Sequence, residues 1–176
     1  MDSLGWPKTM NIQDILLIYE YNYWANQRIL AQCKNVTLEQ FIAPAGFPFG
    51  GLRGTLVHIL DAEFGWRTFF QKNDWSAPEL TEAEFPTFAS VQERADTEEK
   101  EMRAYLATLR DEDMNSHKVY DTPEGKHRDR ILWHCLWHVV NHGTQHRSEA
   151  AALLTDYGSS PSDLDFTVFL NSLQKS

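Results

Sequence analysis

Four histidines stand at intervals of four residues in the last third of the chain: His134, His138, His142 and His146. Imidazole nitrogens bind transition metals, and residues four apart in an α-helix lie one turn apart on nearly the same face. Any adjacent pair could therefore hold one ion. The whole series cannot, because a rise of about 1.5 Å per residue separates His134 from His146 by roughly 18 Å along the axis.

Rotation around the helix decides which pair faces the protein interior. At about 100° per residue, the residues within about 60° of Val139 form an apolar stripe made of Leu132, Cys135, Leu136, Val139, Gly143, Ala150, Leu153 and Leu154. His146 and His142 lie about 20° and 60° from its centre, whereas His138 and His134 fall near 100° and 140°. The pattern predicts an inner pair, His142 and His146, with His138 at the margin and His134 on the surface.

An inward pair of imidazoles needs partners, because each unsatisfied buried ring costs about 1–3 kcal/mol. Two ligands from one helix rarely hold a functional metal alone, and His58 is the histidine placed to supply a third, beside the small residues Ala62 and Gly65. Three imidazoles with open positions suit zinc, nickel or iron(II), and such an ion lowers the pKa of a bound water or thiol. No H-E-x-x-H order is present, which excludes the zincin protease mechanism.

Hydrophobic periodicity and capping signals predict the elements that must position these histidines. The first helix covers residues 11–32 and is capped by Thr9 or Asn11, and TLEQ from Thr37 begins a short turn. A second long helix covers residues 52–71, and a third runs from a Ser90/Glu93 capping box to about Arg110. The histidine helix covers residues 129–157 and stops at Gly158, and a terminal helix begins at Ser162 or Asp163. Residues 111–128 form either a small hairpin or an ordered loop. The result is an all-α four-helix bundle with a short C-terminal helix, one domain over residues 11–176 after a tail of residues 1–10.

Composition limits the classes of function. The chain has 176 residues and a net charge of -9, which fits one domain and disfavours a nucleic-acid partner. It contains no apolar run of about 18 residues, so no membrane span is expected. The start MDSLGWPKTM has no apolar segment of a secretory signal, which favours the cytoplasm. Cys33 and Cys135 predict no disulfide framework.

Three segments carry a family resemblance. LVHILDAEFGW, with His58, and HVVNHGTQHRSEAAALL, with His142 and His146, resemble the two signature segments of the DinB/YfiT-like superfamily, and YNYWANQRIL resembles its first helix. The resemblance implies a four-helix bundle with a long crossover connection, commonly a homodimer, in which His58, His142 and His146 bind a divalent metal. Ser148 and Glu149 depart from the glycine and glutamine of many relatives.

The resemblance also implies a chemistry. The superfamily includes metal-dependent transferases and isomerases that use a low-molecular-weight thiol, so we expect a small-molecule substrate that is an electrophile and a thiol cosubstrate. Tyr23, Trp24 and Asn26 are candidates for the pocket wall, although aromatic residues at helical spacing also serve core packing. Glu149 is a candidate proton acceptor or hydrogen-bond acceptor, or else a solvated glutamate.

Two alternatives remain open from the sequence. One is a metal-hydroxide hydrolase with Glu149 or Glu63 as the proton acceptor. The other is a non-catalytic metal-binding or sensor bundle, because a fold by itself does not establish a function.

Overall fold

The bundle is built from four long helices, and the computed structural model describes residues 10–122 and 124–174. The elements are α1 (Ile12–Cys33), α2 (Leu38–Ile42), α3 (Leu52–Lys72), α4 (Phe88–Leu106), β1 (His117–Asp121), β2 (His127–Ile131), α5 (Leu132–Asp156) and α6 (Phe166–Leu173). The predicted all-α bundle with a short terminal helix is confirmed. The hairpin alternative for the segment before α5 is also confirmed. Thr9, the other cap candidate for α1, and residues 1–8 of the predicted tail lie outside the described residues.

Capping residues fix the first helices where the sequence predicted them. The Asn11 side chain accepts a hydrogen bond from the Asp14 N–H at 3.0 Å, and the Asp14 carboxylate accepts one from the Asn11 N–H at 3.2 Å. Thr37 and Gln40 form the same reciprocal pair at the start of α2. Each capping box satisfies amide groups that the first helical turn leaves without partners.

The bounds of α4 differ from the prediction. The helix begins one turn earlier, because Thr87 is the N-cap and Ser90, predicted to be the cap, is its reciprocal partner. It ends at Leu106 rather than near Arg110, because the amides that follow bond to carbonyls three residues earlier instead of four. Thr108 N–H, for example, donates to the Tyr105 carbonyl at 2.9 Å. The polar sequence beyond that point leaves no apolar stripe to extend the helix.

The histidine helix starts three residues later than predicted. Residues 129–131 belong to β2, which pairs antiparallel with β1 so that Lys118 lies opposite Arg130. The first amides of α5 are satisfied by the chain before the hairpin, because Leu132 N–H donates to the Ser116 carbonyl at 2.8 Å and Trp133 N–H to the Met114 carbonyl at 3.2 Å. These carbonyls take the place of a side-chain cap.

The terminal helix also starts later than predicted. Its N-cap is Asp165 rather than Ser162 or Asp163. The Asp163 side chain instead accepts a hydrogen bond from the Asp165 N–H at 3.0 Å, which forms a local turn that competes with helix. The short helix α6 then packs on α1, with the ring of Phe166 5.2 Å from that of Tyr21.

The core is divided into two apolar clusters with a polar layer between them. Each long helix contributes to both: the first cluster includes Tyr19, Phe69, Met102 and Leu136, and the second includes Ile29, Leu56, Val91 and Leu154. Along α3, α4 and α5, buried polar side chains stand between the two contributions, and Asn22 of α1, which contacts Arg147, joins them. This polar layer consists of Asn22, Glu63, Arg67, Glu98, His146 and Arg147.

The order of the clusters along each helix reveals the topology. Helices α1 and α5 run from the first cluster to the second, whereas α3 and α4 run from the second to the first. Two consecutive helices, α3 and α4, are therefore parallel, and residues 73–87 must cross the length of the bundle. At about 3.3 Å per extended residue they can do so. Leu80 N–H donates to the Asp61 carboxylate at 2.8 Å and fastens this connection to α3, as expected for the predicted crossover.

Within the described residues, no helix combines the length and the apolar character needed to cross a membrane.

Candidate metal centre

Three imidazoles from two helices converge at one point, and we call them the three-histidine cluster. His58 comes from α3, and His142 and His146 come from α5; one ring nitrogen of each lies within 4.8 Å of the others. The Nε2 atoms of His58 and His142 are 3.0 Å apart. A tetrahedral ion with metal–nitrogen distances of about 2.0–2.1 Å holds its ligand nitrogens roughly 3.4 Å apart. The spacing of His58 and His142 is compatible with one shared divalent ion, and the ligand nitrogen of His146 lies within 4.8 Å of both.

A carboxylate orients the most buried imidazole of the cluster. Glu149 Oε2 lies 2.8 Å from His146 Nδ1, one helical turn further along α5, and the His146 side chain is only 4% exposed. A ligating histidine usually donates its second ring N–H to a carboxylate, which fixes the tautomer. Here the contact with Glu149 leaves the Nε2 lone pair of His146 to face the cluster.

The other two imidazoles are electrically suited to bind a cation. Burial lowers the pKa of His58 to about 4, and the nearby His146 lowers it further while Glu149 opposes the effect. Burial likewise lowers the pKa of His142 to about 4, with smaller contributions from its three histidine neighbours. Both rings are therefore neutral near pH 7, which is the form that coordinates a metal.

The remaining two histidines of the series lie where the helical wheel predicted. His138 is exposed at the margin, with its ring centroid 5.9 Å from that of His142 and 5.4 Å from that of Trp66. His134 is exposed at the N-terminal end of the series. The structure thus brings together the inner pair and His58, and it leaves the other two outside the cluster.

Comparison with known proteins now bears on the same residues. Residues 9–175 match the family model described as the DinB family. The chain belongs to the DinB family. It is 28% identical over 169 residues to Protein DinB of Bacillus subtilis (strain 168), which covers 90% of this chain and 95% of the relative. It is also 26% identical over 133 residues to the uncharacterized protein YizA of the same organism, which covers 73% of this chain and 80% of that relative.

Family membership and side-chain geometry agree on the coarse nature of the site. A DinB-family bundle with three converging histidines fits a metal-binding protein of this family.

One side of this DinB-family cluster is covered by a phenylalanine that the sequence did not single out. The ring of Phe49 stacks on that of His58, with centroids 3.4 Å apart and planes 11° apart, and its edge meets His146. The loop that carries it packs against α3 only because Gly54 has no side chain: an added Cβ would lie 2.0 Å from the Phe49 carbonyl oxygen. The glycines of FPFGGLRG were the available signal, but their spacing predicted only a loop.

A buried arginine beside the cluster was also missed. Arg147 is 2% exposed, and its guanidinium donates to Asn22 Oδ1 at 2.5 Å, to Asn26 Oδ1 at 2.8 Å and to Thr144 Oγ1 at 2.7 Å. Gly143 makes room for this contact, since an added Cβ would lie 2.8 Å from Arg147 Nη1. The space beside Gly143 is used by the packing of α1 against α5.

The candidates for the pocket wall are occupied in helix packing. The Tyr23 hydroxyl donates to Glu63 Oε1 at 2.6 Å, the Trp24 ring lies 5.7 Å from Phe169, and Asn26 accepts from Arg147. Within the described part of the chain, none of the three has a hydrogen bond or ring contact with the cluster. The structure does not bring them together with the histidines, and their role in binding a ligand stays a prediction.

Glu63 belongs to the same packing layer. It is buried, and burial raises the pKa of its carboxyl to about 7, although the hydrogen bond from Tyr23 lowers it. Its hydrogen-bond partner is Tyr23, on the side of α3 that faces α1. The structure therefore places Glu149, and not Glu63, in contact with the cluster.

Proposed function

We propose that this protein is a metal-dependent enzyme in which His58, His142 and His146 hold one divalent transition metal, zinc, nickel or iron. The reaction is transfer or isomerisation of a small electrophile with a low-molecular-weight thiol. The observation that supports this proposal is the convergence of three imidazole nitrogens within 4.8 Å, one of them oriented by Glu149. Three protein ligands leave positions on the ion open to substrate.

Different side chains of the site would bind the ion, orient its ligands and exclude water. When bound, the ion would stabilise a thiol as thiolate and place it against the electrophile. The neutral rings of His58 and His142 supply lone pairs, Glu149 holds the tautomer of His146, and the ring of Phe49 keeps water from the face of His58. Cys33 does not compete as a nucleophile, because burial raises the pKa of its thiol to about 12.

Hydrolysis, the alternative reaction, is less well supported. A carboxylate that accepts a proton from water at the open side of the cluster would favour this reaction. Glu149 is engaged with His146 Nδ1, and Glu63 is engaged with Tyr23. Coordination favours the thiolate more strongly, because a metal-bound thiol is deprotonated outright whereas a metal-bound water has a pKa of about 7.

Metal content is the first test. Protein purified without a histidine tag is analysed for metals by mass spectrometry, beside His58→Ala, His146→Ala and the control His127→Ala, which alters an exposed hairpin histidine. We expect one divalent ion per chain in the wild type and the control, and none in the two cluster variants. Full retention of metal in either cluster variant removes that residue from the ligand set.

Turnover is the second test. The metal-loaded protein is incubated with an electrophile and bacillithiol, mycothiol or glutathione, with and without a chelator. We expect conjugation or isomerisation that the chelator abolishes and the metal restores. A protein that binds one metal but shows no chelator-sensitive reaction with any thiol would be a metal-binding or sensor bundle instead.

A homodimer in the cytoplasm completes the proposal. The homodimer is implied by the family resemblance. Sedimentation equilibrium of the full chain measures the mass directly, and a value near the 20.4 kDa of one chain would contradict the dimer.

A further inference from the structure

A cleft next to the three-histidine cluster has not been used in the proposal so far. It has a volume of about 290 Å³ and is lined by Trp66, Tyr120, Arg130, His134, Cys135 and His138; we call it the aromatic cleft. His138 forms the boundary between cleft and cluster, because its ring contacts both Trp66 and His142. A molecule in the cleft would therefore lie one helical turn from a cluster histidine.

The aromatic wall of the cleft is held in place by other rings. The Trp66 centroid lies 5.8 Å from that of Tyr120 on β1 and 4.9 Å from that of Trp75, with Phe70 behind it at 5.6 Å. Edge-to-face contacts at such distances are favourable for aromatic pairs. The indole is thus a preformed flat surface against which a ligand ring can pack.

The charge at the mouth of the cleft is positive in a protein that is strongly acidic. Arg130 lines it from β2; among the described residues its guanidinium donates to the Asp129 carbonyl at 3.1 Å and forms no ion pair. The nearby hairpin acids are engaged elsewhere, because Asp129 contacts His117 at 2.6 Å and Asp121 contacts His127 at 3.0 Å. Arg130 can therefore take a ligand carboxylate as its partner.

The cysteine of the cleft is not a reactive nucleophile. Cys135 lies at the floor of the cleft, but burial raises the pKa of the thiol to about 11, so the sulfur remains protonated and acts as an apolar contact. The cleft therefore offers an apolar ring surface, the imidazoles of His134 and His138, and one guanidinium.

The opposite opening has a different character. A second cleft of about 450 Å³ beside His58 is lined by Asp61, Glu79 and Glu82, and Phe49 stacks on the histidine there. Glu82 is paired with Arg53, and the carboxylates of Asp61 and Glu79 disfavour anions at that opening. Of these two clefts, the aromatic one is suited to an anionic ligand.

From these contacts we infer that the aromatic cleft binds a compact aromatic or similarly flat apolar molecule that carries a carboxylate. Its ring packs on Trp66, its carboxylate pairs with Arg130, and its far end approaches His138 and the cluster. The inference rests on the proposed function in one respect, since it names the class of substrate that would be presented to the cluster.

Binding of an unreactive probe tests the inference without turnover. 3-Phenylpropanoate is titrated into the full-length protein while the indole N–H signals of Trp66 and Trp75 are followed by NMR, and 3-phenylpropanamide serves as its uncharged counterpart. We expect saturable shifts of both signals, and binding of the amide that is about fivefold weaker or worse. Equal binding of the two probes, or no shift at Trp66, overturns the inference.

Two charge variants complete the test. Arg130→Gln, at an exposed strand position, should weaken the carboxylate about fivefold and leave the amide unchanged. Lys126→Gln removes a charge at the hairpin turn outside the cleft and should change neither probe by more than about twofold. An unchanged carboxylate affinity in Arg130→Gln contradicts the assigned contact.

The titration also separates this inference from the proposed function. It is repeated on chelator-treated protein, and metal content is measured independently. If the protein as purified binds the probe but contains no metal, the cleft inference is supported and the metal proposal fails. If the protein contains one metal ion per chain but does not bind the probe, the metal proposal is supported and the cleft inference fails.

Discussion

Helix α5 turns two sets of polar side chains toward the bundle, and the two sets are satisfied in opposite ways. Arg147 directs its hydrogen bonds to acceptors of the chain itself, Asn22, Asn26 and Thr144. The rings of His142 and His146 instead face His58, a third group of the same kind. A pair of imidazole nitrogens 3.0 Å apart can share one proton at most. The first set is complete without a ligand, whereas the second set gains a common partner from a metal ion.

Replacing Arg147 should have the largest effect on stability. Arg147→Ala leaves the Asn22 and Asn26 oxygens without their donor in a buried layer, so we expect the free energy of unfolding to fall by about 3–5 kcal/mol. Urea unfolding in the presence of a chelator measures this. His142→Ala, in the same helix, should cost less than about 1.5 kcal/mol under the same conditions. An equal loss in the free energy of unfolding in Arg147→Ala and His142→Ala would mean that the histidines also stabilise the metal-free fold.

The pH dependence of stability should report on Glu63. Its folded-state pKa of about 7 lies above its usual value near 4.5, so the folded protein binds this proton more tightly than the unfolded chain. The free energy of unfolding should therefore fall as pH rises from about 4.5 to 7, by up to roughly 3 kcal/mol from this group. Glu63→Gln should flatten that decline between pH 5 and pH 8.

An exposed glutamate provides the control for this pH experiment. Glu39→Gln removes the same charge from the surface of α2 and should leave the pH profile of the wild type unchanged. If Glu63→Gln and Glu39→Gln give the same profile, the buried layer is not the source of the pH dependence.

Gly54 tests whether the cover of the cluster depends on the backbone. In Gly54→Ala the new Cβ meets the Phe49 carbonyl oxygen, so the loop must shift and the free energy of unfolding should fall by about 1–3 kcal/mol. Gly46→Ala is the matched control, because nothing lies within 4 Å of its Cβ position. We expect a change below about 0.5 kcal/mol there. Similar values for both variants would show that Phe49 is not fixed by this contact.

The smallest and most specific effect should come from Glu149. Glu149→Ala removes the partner of His146 Nδ1 and should weaken zinc binding by about ten- to hundredfold, with little change in the stability of the metal-free protein. Competition with a chromophoric chelator measures the affinity. Glu63→Gln, outside the cluster, should stay close to the wild type. A loss of zinc affinity in both variants would show that the buried polar layer and the three-histidine cluster are not independent.

The sequence was informative wherever the physical cause is local. Rotation of about 100° per residue is a property of one helix, so it placed His142 and His146 inside and His134 outside without knowledge of the partner helices. The buried face of α5 contains every residue of the predicted apolar stripe. The start of α1 was equally predictable, because Asn11 and Asp14 cap each other.

The features that escaped prediction depend on distant parts of the chain. Arg147 is buried only because two asparagines of α1 accept its hydrogen bonds, and an isolated arginine is normally expected at the surface. Phe49 reaches His58 because Gly54 allows a loop to approach α3. The start of α5 is set by carbonyls of Met114 and Ser116, which no periodicity within α5 can reveal.

The crossover gives the cluster a further meaning for folding. His58 and His142 are 84 positions apart in the chain, and between them lie the connection of residues 73–87, α4 and the hairpin. An ion bound by both would act as a removable cross-link that closes this long loop, comparable to a disulfide but dependent on free metal concentration. Because it binds the folded chain, each tenfold rise in free metal above the dissociation constant adds about 1.4 kcal/mol to stability. Metal supply would then set how firmly the two halves of the chain are tied together.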